Sequence, residues 1–305
     1  MQYGLQCVGG TYAEILEWAR WAETHGLSGF AIPDHYIRGV RPEAGAVALD
    51  ALAVMSGLAR DTDSIELVLL VSPITWRHPA VLAKTYATID DMSGGRFTFG
   101  VGTGWLEKEH ELFGIPFPDA RTRFEMLEEV LQYLRSAFSE PPQSFHGEHY
   151  AFEAFDMNPR PDLKLLVGGT GAVRTPTLAG RYCNEFNSSF ALDEEYRAKV
   201  RIARDAAAEA GRDPDALLIS SSGVLIAGDT DAEYRVRLER SAEMVGSSTD
   251  QLEEGLQRRN SPRGTWTEVG EILSGFERAG MQRFWIQAFG DDPDDLTHAM
   301  ERLGA

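Results

Sequence analysis

The chain has 305 residues, a formal net charge of −18 and 43% hydrophobic residues. That is ample for one large core, and barrels of roughly 250 residues fold as single domains. So acidic a chain lacks the lysine and arginine excess of a general nucleic-acid binder, and no apolar run approaches the ~20 residues that span a bilayer. The two cysteines, Cys7 and Cys183, match no metal spacing and suit a reducing compartment. The opening MQYGLQCVGG has neither the basic region nor the long apolar run of a signal peptide, so a soluble cytoplasmic protein is expected.

In chain order, Tyr3 to Val8 reads as a strand, and Thr11 with Glu14 as the capping box of a helix stopped at Gly26. A strand over Gly29 to Ile32 runs into Pro33-Asp34-His35-Tyr36. Residues 37–49 read as a loop, and Ala51 to Ala59 as a helix. Ile65 to Val71 is nearly continuous in apolar residues, as in a strand covered on both faces. A helix from Pro79 and a strand over Phe97 to Gly102 follow. Residues 105–123 read as a long connection whose acidic run, Glu107 to Glu111, is solvated. The helix after it carries Phe124, Leu127, Leu131, Leu134 and Phe138 at helical steps.

Prolines then break the pattern around a hairpin over Ser144 to Phe152. Leu163 to Val167 is a fifth strand, entering Gly168-Gly169-Thr170-Gly171 and a helix. Cys183 to Asn187 reads as a sixth strand, Leu217 to Ala227 contains a seventh, and Arg283 to Ala288 is the eighth, with helices between. Residues 246–264, polar and rich in Gly, Ser and Arg, read as a mobile loop. Eight strands alternating with helices predict a closed parallel (β/α)8 barrel over residues 1–305, with insertions at about 105–162 and 246–264.

Three corners could carry chemistry. Asp34-His35 ends the second strand, where a histidine can donate to a ring or an oxyanion; the alternative is a satisfied rim histidine. Gly168-Gly169-Thr170-Gly171 precedes a helix whose N-terminus, with Arg174 and Thr175, could hold a phosphate; the alternative is a tight strand-to-helix corner. Gly100, Gly102 and Gly104 could leave room for a planar group beside Trp105; the alternative is close packing with Trp105 in the core. His146 and His149 sit on a hairpin rather than a helix, and no carboxylate–histidine set accompanies them at the strand ends, so no metal site is expected.

These corners, taken in order, resemble the bacterial luciferase-like superfamily, and within it the branch of coenzyme F420-dependent oxidoreductases. Pro33-Asp34-His35, Arg77-His78-Pro79-Ala80, Ser93-Gly94-Gly95-Arg96, Gly100 through Trp105, Gly114 through Pro118 and Gly168 through Gly171 carry the likeness. It implies a TIM barrel of the luciferase-like type with the cofactor ring at the C-terminal ends of the strands. His35 matches the family histidine beside the ring, next to Asp34. Leu69 and Leu70 match a non-prolyl cis peptide that backs the ring. Gly102 and Trp105 would bound the ring pocket, and Gly168, Gly169, Thr170, Gly171, Arg174 and Thr175 match the phosphate-binding turn. The family's sugar-phosphate dehydrogenases carry Glu where this chain has Trp105, so that activity is not expected.

The function so implied is hydride transfer between coenzyme F420 and a small organic substrate, with His35 as the catalytic candidate. The alternatives are an FMN-dependent monooxygenase supplied with reduced flavin by a separate reductase, and a flavin-binding barrel without turnover. A small-molecule substrate and a homodimer are the expected partners; nucleic acid and membrane are not.

Overall fold

The computed structural model describes residues 1–37, 47–190, 193–288 and 293–304. The strands are β1 (Gln2–Cys7), β2 (Phe30–Ile32), β3 (Leu67–Pro73), β4 (Phe97–Gly102), β5 (Phe145–His146), β6 (Ala151–Phe152), β7 (Leu165–Gly169), β8 (Glu185–Ser189), β9 (Leu218–Val224), β10 (Ile226–Gly228), β11 (Arg263–Thr265) and β12 (Arg283–Ala288). Eight of them close a parallel barrel in the order β1-β12-β9-β8-β7-β4-β3-β2. The helices around it are α1 (Tyr12–Thr24), α2 (Ala51–Asp61), α3 (Pro79–Ser93), α4 (Glu107–Phe113), α5 (Ala120–Ala137), α6 (Arg174–Tyr182), α7 (Asp193–Glu209), α8 (Asp231–Val245), α9 (Thr249–Arg258), α10 (Trp266–Arg278) and α11 (Pro293–Leu303). This is the expected TIM barrel.

The strands are buried on both faces, which is why they read as apolar runs. Leu5, Phe30, Leu67, Leu69, Phe97 and Phe99 face outward into the core shared with the helices. Ala31, Val68, Leu70, Leu166 and Trp285 fill the barrel interior. Trp285 fits there because Gly4 and Gly29 lack side chains: a Cβ would lie 2.4 Å and 2.8 Å from its ring. Burying an aromatic of this size contributes about 1.5–3 kcal/mol. Below it, Glu185 accepts from Trp285 Nε1 at 3.0 Å and pairs with Arg283 at 3.1 Å.

The Ser93-Gly94-Gly95-Arg96 turn is scaffold. Gly94, at φ 70°, ends α3, and the Arg96 guanidinium donates to the carbonyls of Ala59, Thr62 and Ile65. Both insertions differ from their sequence reading. The 105–123 connection contains α4, and 246–264 is not a bare loop. Ser248 and Gln251 form a capping box for α9, whose Leu252 and Leu256 pack on Ile226, Tyr234 and Leu238. The β11 strand that follows pairs in parallel with β10. Two leucines four apart were enough to anchor a helix that is otherwise polar. Of the loop read at 37–49, residues 38–46 lie outside the described residues. Among the described residues, no helix is long and apolar enough to cross a membrane.

Candidate active site at the barrel mouth

The C-terminal ends of the strands form the mouth. On β3 the chain takes an extra residue: Leu69 pairs with Phe99, and the next pairing is Ser72 with Val101. The peptide between Leu70 and Val71 within this bulge is cis. It lies one residue beyond the Leu69–Leu70 bond read from the sequence. Leu69 faces the outer core, so its side chain cannot back a ring in the mouth, and Leu70 points into the interior. Val71, read from the sequence only as the end of a strand, is the half-buried crown of the bulge. Gln6 Nε2 donates to the Leu70 carbonyl at 2.9 Å, and Gln287 Nε2 donates to Gln6 Oε1 at 3.0 Å.

The glycines on the neighbouring strands serve this bulge. A Cβ on Gly102 would lie 3.0 Å from both Val71 and the Gly168 carbonyl, and one on Gly168 would lie 2.9 Å from Val71. The room the sequence reading assigned to a planar ligand over Gly102 is therefore filled by Val71. Gly104, at φ 76°, then turns the chain from β4 toward α4.

The β2 corner is densely wired. Asp34 is 0% exposed; its carboxylate accepts from Ser72 Oγ at 2.6 Å and from Arg77 at 2.5 Å. Arg77 continues to the Tyr36 hydroxyl at 2.9 Å and to Asp50 at 2.5 Å, where Asp50 also caps α2 through the Ala53 amide. Asp34 is thus consumed by the scaffold, and its carboxylate is not available to a cofactor. Burial, with the charges of Asp34 and Asp50, pushes the Tyr36 phenol up to about 12 despite Arg77.

His35 stands at the rim of this network. Its Nδ1 lies 2.9 Å from Glu109 Oε2, while Glu109 Oε1 accepts from the Tyr36 amide at 2.5 Å and the Ile37 amide at 2.9 Å. Burial works to raise the Glu109 carboxyl, but the bonds from His35 and the two amides outweigh it and hold the group below the ordinary glutamate range. Glu109 is 1% exposed, the opposite of the solvated charge read from the sequence. It is carried in by α4, which is locked by an aromatic stack. Trp76 lies between Tyr36 and His110, at 4.7 Å and 4.5 Å, and Phe117 follows at 4.3 Å. His110 also meets Thr75 Oγ1 at 2.7 Å. Trp105, expected as a pocket wall or a core residue, is 65% exposed and stands edge-on to His35 with centroids 5.8 Å apart.

Across the mouth, β7 runs through Gly168 and Gly169 into Thr170, Gly171 and α6. No side chain caps α6: Val173 stands at the cap and makes no such bond. Pro176 in the first turn of α6 has no N–H, so the amides of Arg174 and Thr175 are the ones an anion could meet there. Arg174 is exposed and lies over the Phe124 ring at 5.5 Å. Thr175 is buried under the turn, where its hydroxyl would lie 2.5 Å from a Cβ on Gly171. It therefore shapes the turn, while Thr170, Gly171 and Arg174 remain at the surface. Among the described residues, no cluster of three His, Cys, Asp or Glu side chains is arranged to hold a metal.

Comparison with known proteins agrees with this architecture. An FMNH2-dependent dimethylsulfone monooxygenase of Pseudomonas putida is 26% identical over 226 residues, covering 73% of this chain and 60% of that protein. An F420-dependent glucose-6-phosphate dehydrogenase of Microbacterium testaceum is 30% identical over 207 residues, covering 66% of this chain and 60% of that protein. The chain thus spans about three-fifths of the length of these curated relatives. An F420-dependent secondary alcohol dehydrogenase, solved with an F420–acetone adduct, superposes with a TM-score of 0.80 at 20% identity, covering 99% of this chain and 98% of the other. The model of the luciferase-like monooxygenase family matches residues 2–265, and the chain belongs to that family.

Proposed function

We propose that the protein is an oxidoreductase that binds coenzyme F420 at the barrel mouth and moves a hydride between it and a small organic substrate. The observation that carries this reading is the pairing, across one mouth, of a helix N-terminus without a side-chain cap and a histidine whose outer nitrogen makes no hydrogen bond among the described residues. The groups present fit such a cofactor: the α6 amides and Arg174 suit a phosphate, and Val71 offers an apolar floor for a planar ring. The cofactor, when bound, supplies the hydride-accepting or hydride-donating carbon.

The protein's part is positioning and proton handling. Glycines at 168, 169 and 171 let the turn close over Val71 and Thr175, and the bulge sets the height of the floor. His35 handles the substrate's proton: the neutral imidazole takes the hydroxyl proton as hydride leaves an alcohol carbon, and in the reverse direction the imidazolium returns that proton to the oxygen of the reduced carbonyl. A small cleft beside His35 is lined by Val8, Gly9, Ile37, Leu49 and Val54, which give the rim around the ring apolar neighbours.

A second reading is an FMN-dependent monooxygenase fed by a separate reductase; the similarity to the dimethylsulfone enzyme favours it. Titration with F420 and with FMN, followed by absorbance and fluorescence, decides between them. Tight F420 binding with hydride exchange to a carbonyl panel is the expected result. FMN binding without response to F420 reverses the ranking. Cofactor binding with no turnover across the panel leaves a flavin-binding barrel. A homodimer remains part of the proposal, and sedimentation tests it.

A further inference from the structure

We infer that Glu109 is a positioning residue for His35: it fixes the neutral imidazole with its hydrogen on Nδ1 and leaves Nε2 bare toward the mouth. The inference rests on the proposed use of His35, but its first test does not.

Three observations combine. First, Glu109 is buried, and every contact the structure gives its carboxylate is a donor: two backbone amides on Oε1 and the His35 ring on Oε2. A carboxylate accepts only, so Nδ1 must carry the hydrogen in that contact. Second, His35 Nε2 makes no hydrogen bond with any described residue, and the side chain is 27% exposed at the rim. Third, Glu109 cannot drift, because Tyr36 and Ile37 hold its other oxygen and the Trp76–His110 stack clamps its helix. The result is a histidine with one nitrogen spent on orientation and the other ready, in the neutral ring, to accept a proton from substrate, which the imidazolium gives back in the reverse direction. The like-charged neighbours Glu107 and Glu111 are exposed on α4, and Asp34 is neutralised by Arg77, so Glu109 is the carboxylate that addresses the ring.

The decisive variant is Glu109→Gln. Its carboxamide oxygen still accepts from the Tyr36 and Ile37 amides, while its NH2 meets Nδ1 and forces the hydrogen onto Nε2. The experiment is 15N NMR of histidine-labelled, cofactor-free protein at a pH where the ring is neutral, with the His35 signals assigned by their loss in His35→Asn. The wild type is expected to show a protonated Nδ1 and a bare Nε2, and E109Q the reverse. In the loaded enzyme, E109Q is expected to lower kcat by about 10²-fold or more, with a much smaller change in KM, and Glu109→Asp to recover about tenfold of that loss.

A neutral wild-type ring with its hydrogen on Nε2 would falsify the inference, as would an E109Q protein with unchanged tautomer or unchanged kcat. If E109Q does not fold, the wild-type tautomer and the E109D protein still decide. A tautomer swap in a protein inactive with every cofactor leaves the positioning role standing and removes the proposed function instead.

Discussion

The two sides of the barrel mouth are built on opposite principles. On the β2–β3 side nearly every polar atom has a partner within the protein: Asp34, Ser72, Arg77, Tyr36, Asp50, His35 and Glu109 form one connected network. On the β7–α6 side the helix N-terminus has no side-chain cap, and Arg174 is exposed. The first side is finished before any ligand arrives, as a site must be if it is to aim a proton carrier within tenths of an ångström. The second side leaves its donors unmet, which fits a place where a ligand supplies the missing charge. Under the proposed function the first side would aim and the second would anchor.

The contrast can be broken at each side. His35→Asn removes the proposed proton carrier and should lower kcat about 10²–10⁴-fold, while cofactor affinity, read by fluorescence titration, changes little. A comparable loss of affinity instead would make His35 part of the anchoring side. Arg77→Met leaves Asp34 buried without its cation and should cost about 3–5 kcal/mol in urea unfolding, because an uncompensated buried charge is the expensive outcome. A cost under about 1 kcal/mol would mean the network is ornamental.

Arg174→Ala should weaken cofactor binding by about tenfold at low salt, the loss of one charge-assisted hydrogen bond, with the difference shrinking as ionic strength rises. A salt-independent effect would point to packing on Phe124 instead. The smallest effect concerns acid. Glu109 is held below its ordinary range in the folded state, so the stability it contributes is full above that range and is lost as the pH falls through the lowered value. Wild-type unfolding free energy should therefore drop more steeply below about pH 4 than that of E109Q. Parallel curves would show that Glu109 is not a carboxylate held by donors.

Much of this side-by-side arrangement was legible beforehand, but unevenly. The barrel strands could be read because burial on both faces leaves apolar runs bounded by glycine and proline. The β4 strand and the Gly168–Gly171 corner fall where the pattern placed them. The glycines were legible as close approaches but not their partner: Gly102 and Gly168 make room for Val71, a residue 31 positions before the first of them and on another strand. Glu109 was lost among Glu107 and Glu111, three acids of one run. A signal existed in Gly114, which ends α4 in the left-handed conformation, and with it the run reads as a helix with one inward face.

The amino-acid pattern by itself determined the alternation of strands and helices, the barrel that alternation closes into, and the positions of His35 and the glycine turn at strand ends. These depend on periodicity and on turn chemistry, which are local. Which acid meets the histidine, which glycine faces the bulge, and that Asp34 answers to Arg77 rather than to a ligand were decided only by the tertiary structure. Those pairings join residues 74, 31 and 43 positions apart, and nothing in a linear chain marks which of several like charges closure of the barrel will bring within 3 Å of a given partner.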